Sequence, residues 1–152
     1  MILIDDLNNF ADHHKEERPN IEASIFVSSD DEVSKLIKDL TNANDKCTLI
    51  TVVPSHNPNI PDEDTRQMQN QLLFFVVKKY DSKAGNNEKI KNFSLCQVEV
   101  QQLVNKIIDL KDNPSGLCDF SDIDYNSIQI TPVSNYYNQN GYLMQLNSRT
   151  DF

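Results

Sequence analysis

The chain has 152 residues, the size of one domain built around a single core, and its 38% apolar and 24% charged residues lie outside the composition of disordered chains. Its net charge of -9, from 14 Lys+Arg against 23 Asp+Glu, repels phosphate backbones and anionic lipid. Sequence-reading nucleic-acid binding and membrane adhesion are therefore disfavoured.

In chain order, Leu3, Leu7, Phe10, Ala11 and His14 follow helical spacing, which predicts a helix from Ile2 to about Glu17, stopped by Pro19. Ser24–Ser28 reads as a short strand. Ser29-Asp30-Asp31-Glu32 reads as a capping box opening a second helix, with Val33, Leu36, Ile37 and Leu40 on its apolar face. Cys47 to Val53 is rich in β-branched residues and predicts a strand bounded by Pro54. Residues 54–70 read as a long polar loop of a central hairpin, interrupted by Pro58 and Pro61. Gln71 to Tyr80 is the clearest strand, with Leu72, Phe74 and Val76 alternating against Leu73, Phe75 and Val77, so both faces are expected to be buried.

Asn92 to Lys111 is the strongest helix, with Cys96, Val100, Leu103, Val104 and Ile107 on one face, and Asn113-Pro114-Ser115-Gly116 ends it. Two further strands are expected at Ser127–Val133 and Tyr142–Asn147, joined by a turn from Ser134 to Gly141. The order α-β-α-β-β-α-β-β predicts an α+β fold. Loop-joined strands favour a mostly antiparallel sheet of four to five strands, with helices on one face, in a single domain spanning 1–152.

Few residues suggest chemistry. His13 and His14 stand beside Glu16 and Glu17, but adjacent helical side chains diverge by about 100°, so the histidines cannot share an ion and a solvated helix end is expected. Asp119, Asp122, Asp124 and Asn126 are spaced like part of a calcium loop, yet Ser127 stands where glycine is needed and Val133 where glutamate is needed. The glycines Gly85, Gly116 and Gly141 are isolated, so no phosphate-cradling loop exists in the sequence. No glycine-flanked serine elbow occurs. Cys47, Cys96 and Cys118 are odd in number and widely spaced, which fits reduced thiols, with Cys47 and Cys96 in the core. No enzyme activity, cofactor or metal is expected. An enzyme would need a concave pocket holding His56 or His14 with a partnered carboxylate or cysteine.

Two features suit assembly. The 54–70 loop carries His56, Asp62, Glu63, Asp64 and Arg66 as candidate interface residues. Tyr136 and Tyr137, in a turn among Asn135, Asn138 and Asn140, are expected to be exposed on a hairpin tip, aromatics of the type that dominate interface energetics. Ile2-Leu3-Ile4 before Asp5 and Asp6 is too short for a secretory signal, and the longest apolar run, Leu72 to Val77, is about a third of a membrane span. A cytoplasmic site of synthesis is expected, and no membrane partner.

The element order resembles the tail-terminator and neck (head-tail connector, tail-completion) proteins of tailed phages. Its elements are an N-terminal helix, a hairpin over Cys47–Tyr80, a covering helix and a closing strand pair with Gly141-Tyr142. Ile130-Thr131-Pro132-Val133 followed by Asn140 to Leu146 is similar to the closing strands of such proteins. The extra helix at Asp30–Leu40 departs from the simplest form of that family. The resemblance implies a structural virion protein forming a homo-oligomeric ring, a hexamer or dodecamer, against portal, connector or tail-tube proteins at the head-tail junction or tail end. The alternative is a small cytoplasmic adaptor or inhibitor that binds one protein partner.

Overall fold

The computed structural model of the chain describes residues 1–39, 45–60, 66–118 and 120–151. Its elements are α1 (Ile4–Glu17), β1 (Ile21–Val27), α2 (Asp30–Asp39), β2 (Cys47–Val52), β3 (Ser55–Asn59), β4 (Gln67–Lys79), α3 (Asn86–Asp112), β5 (Ile123–Tyr136) and β6 (Gln139–Asp151). The fold is α+β: three helices and a mixed six-stranded sheet in the order β1-β2-β4-β6-β5, with β3 paired to β4 alongside β2.

The long strand β4 organises the sheet. Its second half pairs antiparallel with β2, from Thr51↔Phe74 to Thr48↔Val77, and its first half with β3, from Ser55↔Gln71 to Asn59↔Gln67. Along its whole length it pairs with β6. β5 returns beside β6 after an irregularity between Asp124 and Gln129.

Several expectations change. The order gains a strand, α-β-α-β-β-β-α-β-β, because β3 lies inside the stretch read as a loop. Ser55-His56-Asn57-Pro58-Asn59 has no apolar alternation; as an edge strand with exposed side chains it draws its order from the β4 ladder instead. β4 likewise begins at Gln67, not Gln71. Of the 54–70 loop, 60 and 66 flank the undescribed 61–65, so Asp62, Glu63 and Asp64 lie outside the described residues. The sheet is not wholly antiparallel: β1 and β2 run parallel, as a strand–helix–strand unit with α2 between them requires.

The helices also cover both faces, not one. Leu72, Phe74, Val76, Met144 and Leu146 point to a first face, where α1 and α3 bury them with Leu7, Phe10, Cys96, Leu103 and Ile107. Phe10 is central, its ring edge-on to Phe120 at 5.0 Å and to Phe74 at 6.1 Å. Ile50 and Val77 point to the second face and pack with Val27 and with Val33 of α2. The crossover helix must lie on one side of its two strands, and α1 with α3 already occupies the other.

The β5–β6 turn is tighter than the Ser134–Gly141 expectation. Strands run to Tyr136 and resume at Gln139, leaving Tyr137 and Asn138 as a two-residue loop with φ of 49° and 61°, the mirror-image turn that matches strand twist. Gly141 is required where β6 crosses β4: a Cβ there would lie 2.1 Å from the Val76 carbonyl oxygen.

Candidate functional site

The titratable side chains converge between the end of α1 and the middle of α3. Pro19 ends α1 and turns the chain, which leaves Arg18 at its C-cap and Asn20 facing α3. Glu99 is fully buried on α3. Its carboxylate accepts from Arg18 Nε at 2.9 Å and Nη2 at 3.1 Å, and from Asn20 Nδ2 at 3.0 Å. Burial pushes the Glu99 carboxyl upward, but the hydrogen bonds from Arg18 and Asn20 together outweigh it and hold its pKa below the ordinary value. Two α3 turns along, Lys106 Nζ lies 2.8 Å from a Glu17 carboxylate oxygen, a pairing that lowers the Glu17 pKa.

His14 sits beneath these pairs. It is only 2% exposed and its ring stacks on Phe10 at 6.3 Å. Neither ring nitrogen has a hydrogen-bond partner. Burial first, then the Arg18 charge, lowers its pKa to about 4, so the imidazole is neutral at pH 7. A cleft of about 260 Å³ reaches it between Arg18, Gln102, Asn105, Lys106 and Asp109. The sequence placed His14 on the apolar face of α1 correctly, but the solvated helix end is corrected: His13 is the exposed partner, 3.1 Å from Glu17. The pocket condition for an enzyme is met only halfway. His14 lines a cleft, yet no carboxylate orients its ring, and the lining holds neither cysteine nor serine.

His56 belongs to a different network. On β3 and half-buried, its Nδ1 lies 2.7 Å from Asn70 Oδ1, which also accepts from the Ile2 backbone N–H at 3.4 Å. Asn70 Nδ2 donates to Thr150 Oγ1 at 3.1 Å and to the Ser148 carbonyl at 3.3 Å. Asn70 thus ties the N-terminal segment, β3, β4 and β6 together, and His56 serves that clip. Arg66 is exposed beside the start of β4.

Tyr136 and Tyr137 are not presented to solvent as a hairpin-tip patch. Both are half-buried: Tyr136 stacks flat on Phe75 at 4.6 Å and Tyr137 meets Tyr136 edge-on at 4.9 Å. The turn folds them onto the second face of the sheet.

That second face is the feature the sequence hid. The register aligns Phe75, Leu143 and Thr131 in one row, Leu73, Gln145 and Gln129 in the next, then Gln71 with Asn147 and Ser55, then Gln69 with Asn57. α2 packs only over the β1–β2 side, and these residues are half-buried or exposed. From Tyr125 to Ser148 the chain carries no charged residue. The period-two alternation of Gln67, Gln69 and Gln71 with Met68, Asn70 and Leu72 is the signal that the sequence carries for it.

The thiols of Cys47 and Cys96 lie 3.4 Å apart in the first-face core, and Cys96 Sγ donates to the Asn140 carbonyl at 3.7 Å. The Cys96 hydrogen bond and burial push the Cys47 thiol well above its ordinary range, so it is a poor nucleophile. Among the described residues no three His, Cys, Asp or Glu side chains form a metal-binding group, and no helix is long and apolar enough to cross a membrane. Compared with known protein families, curated proteins and solved structures, the chain matches none.

Proposed function

We propose that the chain is a structural assembly subunit that works by homo-oligomerisation, and in its sharper form a ring-forming neck or tail-terminator protein of a tailed phage. The observation that carries this reading is the open second face on long strands. β4, β5 and β6 are 13, 14 and 13 residues long, and α2 packs against only one side of their sheet. Leu73, Phe75 and Leu143 stay half-buried together on that face, and a contiguous apolar patch of this kind is what a partner surface covers.

The ionisable groups fit an assembly role as well. Arg18 with Glu99, and Lys106 with Glu17, are engaged with each other and pin α1 to α3. A buried pair of this kind fixes the relative placement of two elements, which a ring subunit needs more than it needs adaptability. The acidic balance suits a lumen through which DNA passes without sticking.

Light scattering over a concentration series, with negative-stain imaging, tests the proposal. Closed rings of six or twelve support the neck reading. A chain that stays at 17.4 kDa, and remains so when portal or tail-tube proteins are added, refutes it in favour of a monomeric adaptor.

A further inference from the structure

The second sheet face has an unusual composition for this molecule. Its central rows hold Phe75, Leu73 and Leu143, half-buried, surrounded by Gln69, Gln71, Gln129, Gln145 and Asn147. Charge enters only at its lower rim, where Arg149 lies opposite Gln69, Asp151 opposite Gln67 and Asp124 opposite Asn147. The chain as a whole carries -9.

We propose that this face is where a second copy of the chain docks, sheet against sheet. The proposal rests on the homo-oligomeric reading above and assigns it one surface, an isologous contact that closes at a dimer and leaves a second contact to close a ring. Three properties single out a copy of this chain as the occupant. Two molecules of the same negative charge repel, and they approach at less cost through a surface whose central rows carry no charge. Amide side chains carry both donors and acceptors, so a face built of Gln and Asn is complementary to itself, as a face of one charge sign is not.

Size gives the third property. Four strand positions at about 4.8 Å and the run from Gln67 to Phe75 at about 3.3 Å per residue give roughly 500 Å² per copy. Two copies then bury roughly 1,000 Å² in total, the threshold a specific interface has to reach. The arrangement within the face also matches an interface, with apolar Leu73, Phe75 and Leu143 in the middle and polar residues around them. Phe75 is held in place by the Tyr136 ring stacked on it at 4.6 Å, so it enters the contact already ordered.

The test is Gln69→Glu combined with Gln129→Glu. Both positions are exposed, so the monomer keeps its fold while each copy brings two added negative charges to the shared face. A control pair, Gln97→Glu with Gln101→Glu, adds the same charge on the exposed side of α3. Mass is read by light scattering across concentration, with thermal melts on each variant. The wild type is expected at twice 17.4 kDa or more, the face variant to dissociate at least tenfold more readily, and the control to stay within twofold of wild type. Should the face variant unfold, Thr131→Arg, exposed in the same row as Phe75, replaces it. Oligomers that ignore the face charges overturn this inference and leave the ring reading standing. A wild type that stays at 17.4 kDa alone overturns this inference, and one that stays so with portal or tail-tube proteins added overturns both.

Discussion

Replacing His14 by leucine should stabilise the protein, and increasingly so as the solution is acidified. His14 is 2% exposed with both ring nitrogens unpaired, and its pKa is about 4 against 6.5 for an exposed imidazole. Between those values the unfolded chain takes up a proton that the folded chain refuses. Stability from the neutral imidazole is therefore complete above 6.5, falls as pH drops, and is lost by the time pH reaches the folded value near 4. The pKa difference corresponds to about 3 kcal/mol, or roughly 8 °C in melting temperature for a domain of this size.

Leucine fills a similar volume against Phe10 and has no proton to bind. Urea denaturation of wild type and His14→Leu should show the variant at least as stable at pH 7.5, with the gap widening by about 3 kcal/mol by pH 4. Glu99 and Glu17, whose pKa values are lowered, also lose stabilising charge in acid; they are present in both proteins and cancel in the difference apart from the minor electrostatic coupling each has to His14. Curves that stay parallel from pH 7.5 to pH 4, within about 0.5 kcal/mol, would mean that His14 is solvated or hydrogen-bonded in solution and that the burial argument is wrong.

Gly141→Ala should cost about 3 kcal/mol or more, because its Cβ would meet the Val76 carbonyl at 2.1 Å and the β4 backbone has no room to retreat; a thermal melt measures it. Glu99→Ala should cost about 2 to 4 kcal/mol, by leaving Arg18 and Asn20 without their acceptor, discounted because Arg18 is itself 26% exposed; Glu99→Gln should recover part of that in the same denaturation assay. Asn70→Leu should loosen the N-terminal segment and β3 together, seen as faster amide exchange at Ile2 and across Ser55–Asn59 while β2 keeps its protection. Cys47 and Cys96 should resist alkylation in the native state and react on unfolding, since both are fully buried; rapid native labelling would show that α3 lifts from the sheet far more often than its packing implies.

The elements that the sequence revealed are those whose order comes from the core. α1, the apolar half of β4 and the middle of α3 each place alternating or helically spaced apolar residues on the first face, and the structure puts them there. Boundaries failed where polar residues continue an element past its buried part. β4 runs back to Gln67, α3 begins at Asn86 rather than Asn92, and β6 extends from Gln139 to Asp151. β3 has no apolar residue at all. A ladder of backbone hydrogen bonds from a neighbour already in place needs no hydrophobic side chain, and pattern reading sees only side chains.

The same blindness decided how the candidate sites were read. Asn70 looked like the end of a loop, yet it is fully buried and joins four segments, because it falls on the first-face side of a strand whose second-face neighbours are Gln69 and Gln71. His56 followed it into that network. Tyr136 looked exposed because asparagines surround it in sequence, whereas a two-residue turn lays it on Phe75. Each correction has one source: the hairpins are longer and tighter than their apolar residues indicate. The strands persist beyond the apolar core because the backbone ladder continues there, with Met68, Asn70, Ser148 and Thr150 buried on one side and amides on the uncovered side. The residues that escaped the pattern are therefore those on the uncovered side of the sheet, and charging Gln69 and Gln129 tests the assembly proposed for that side.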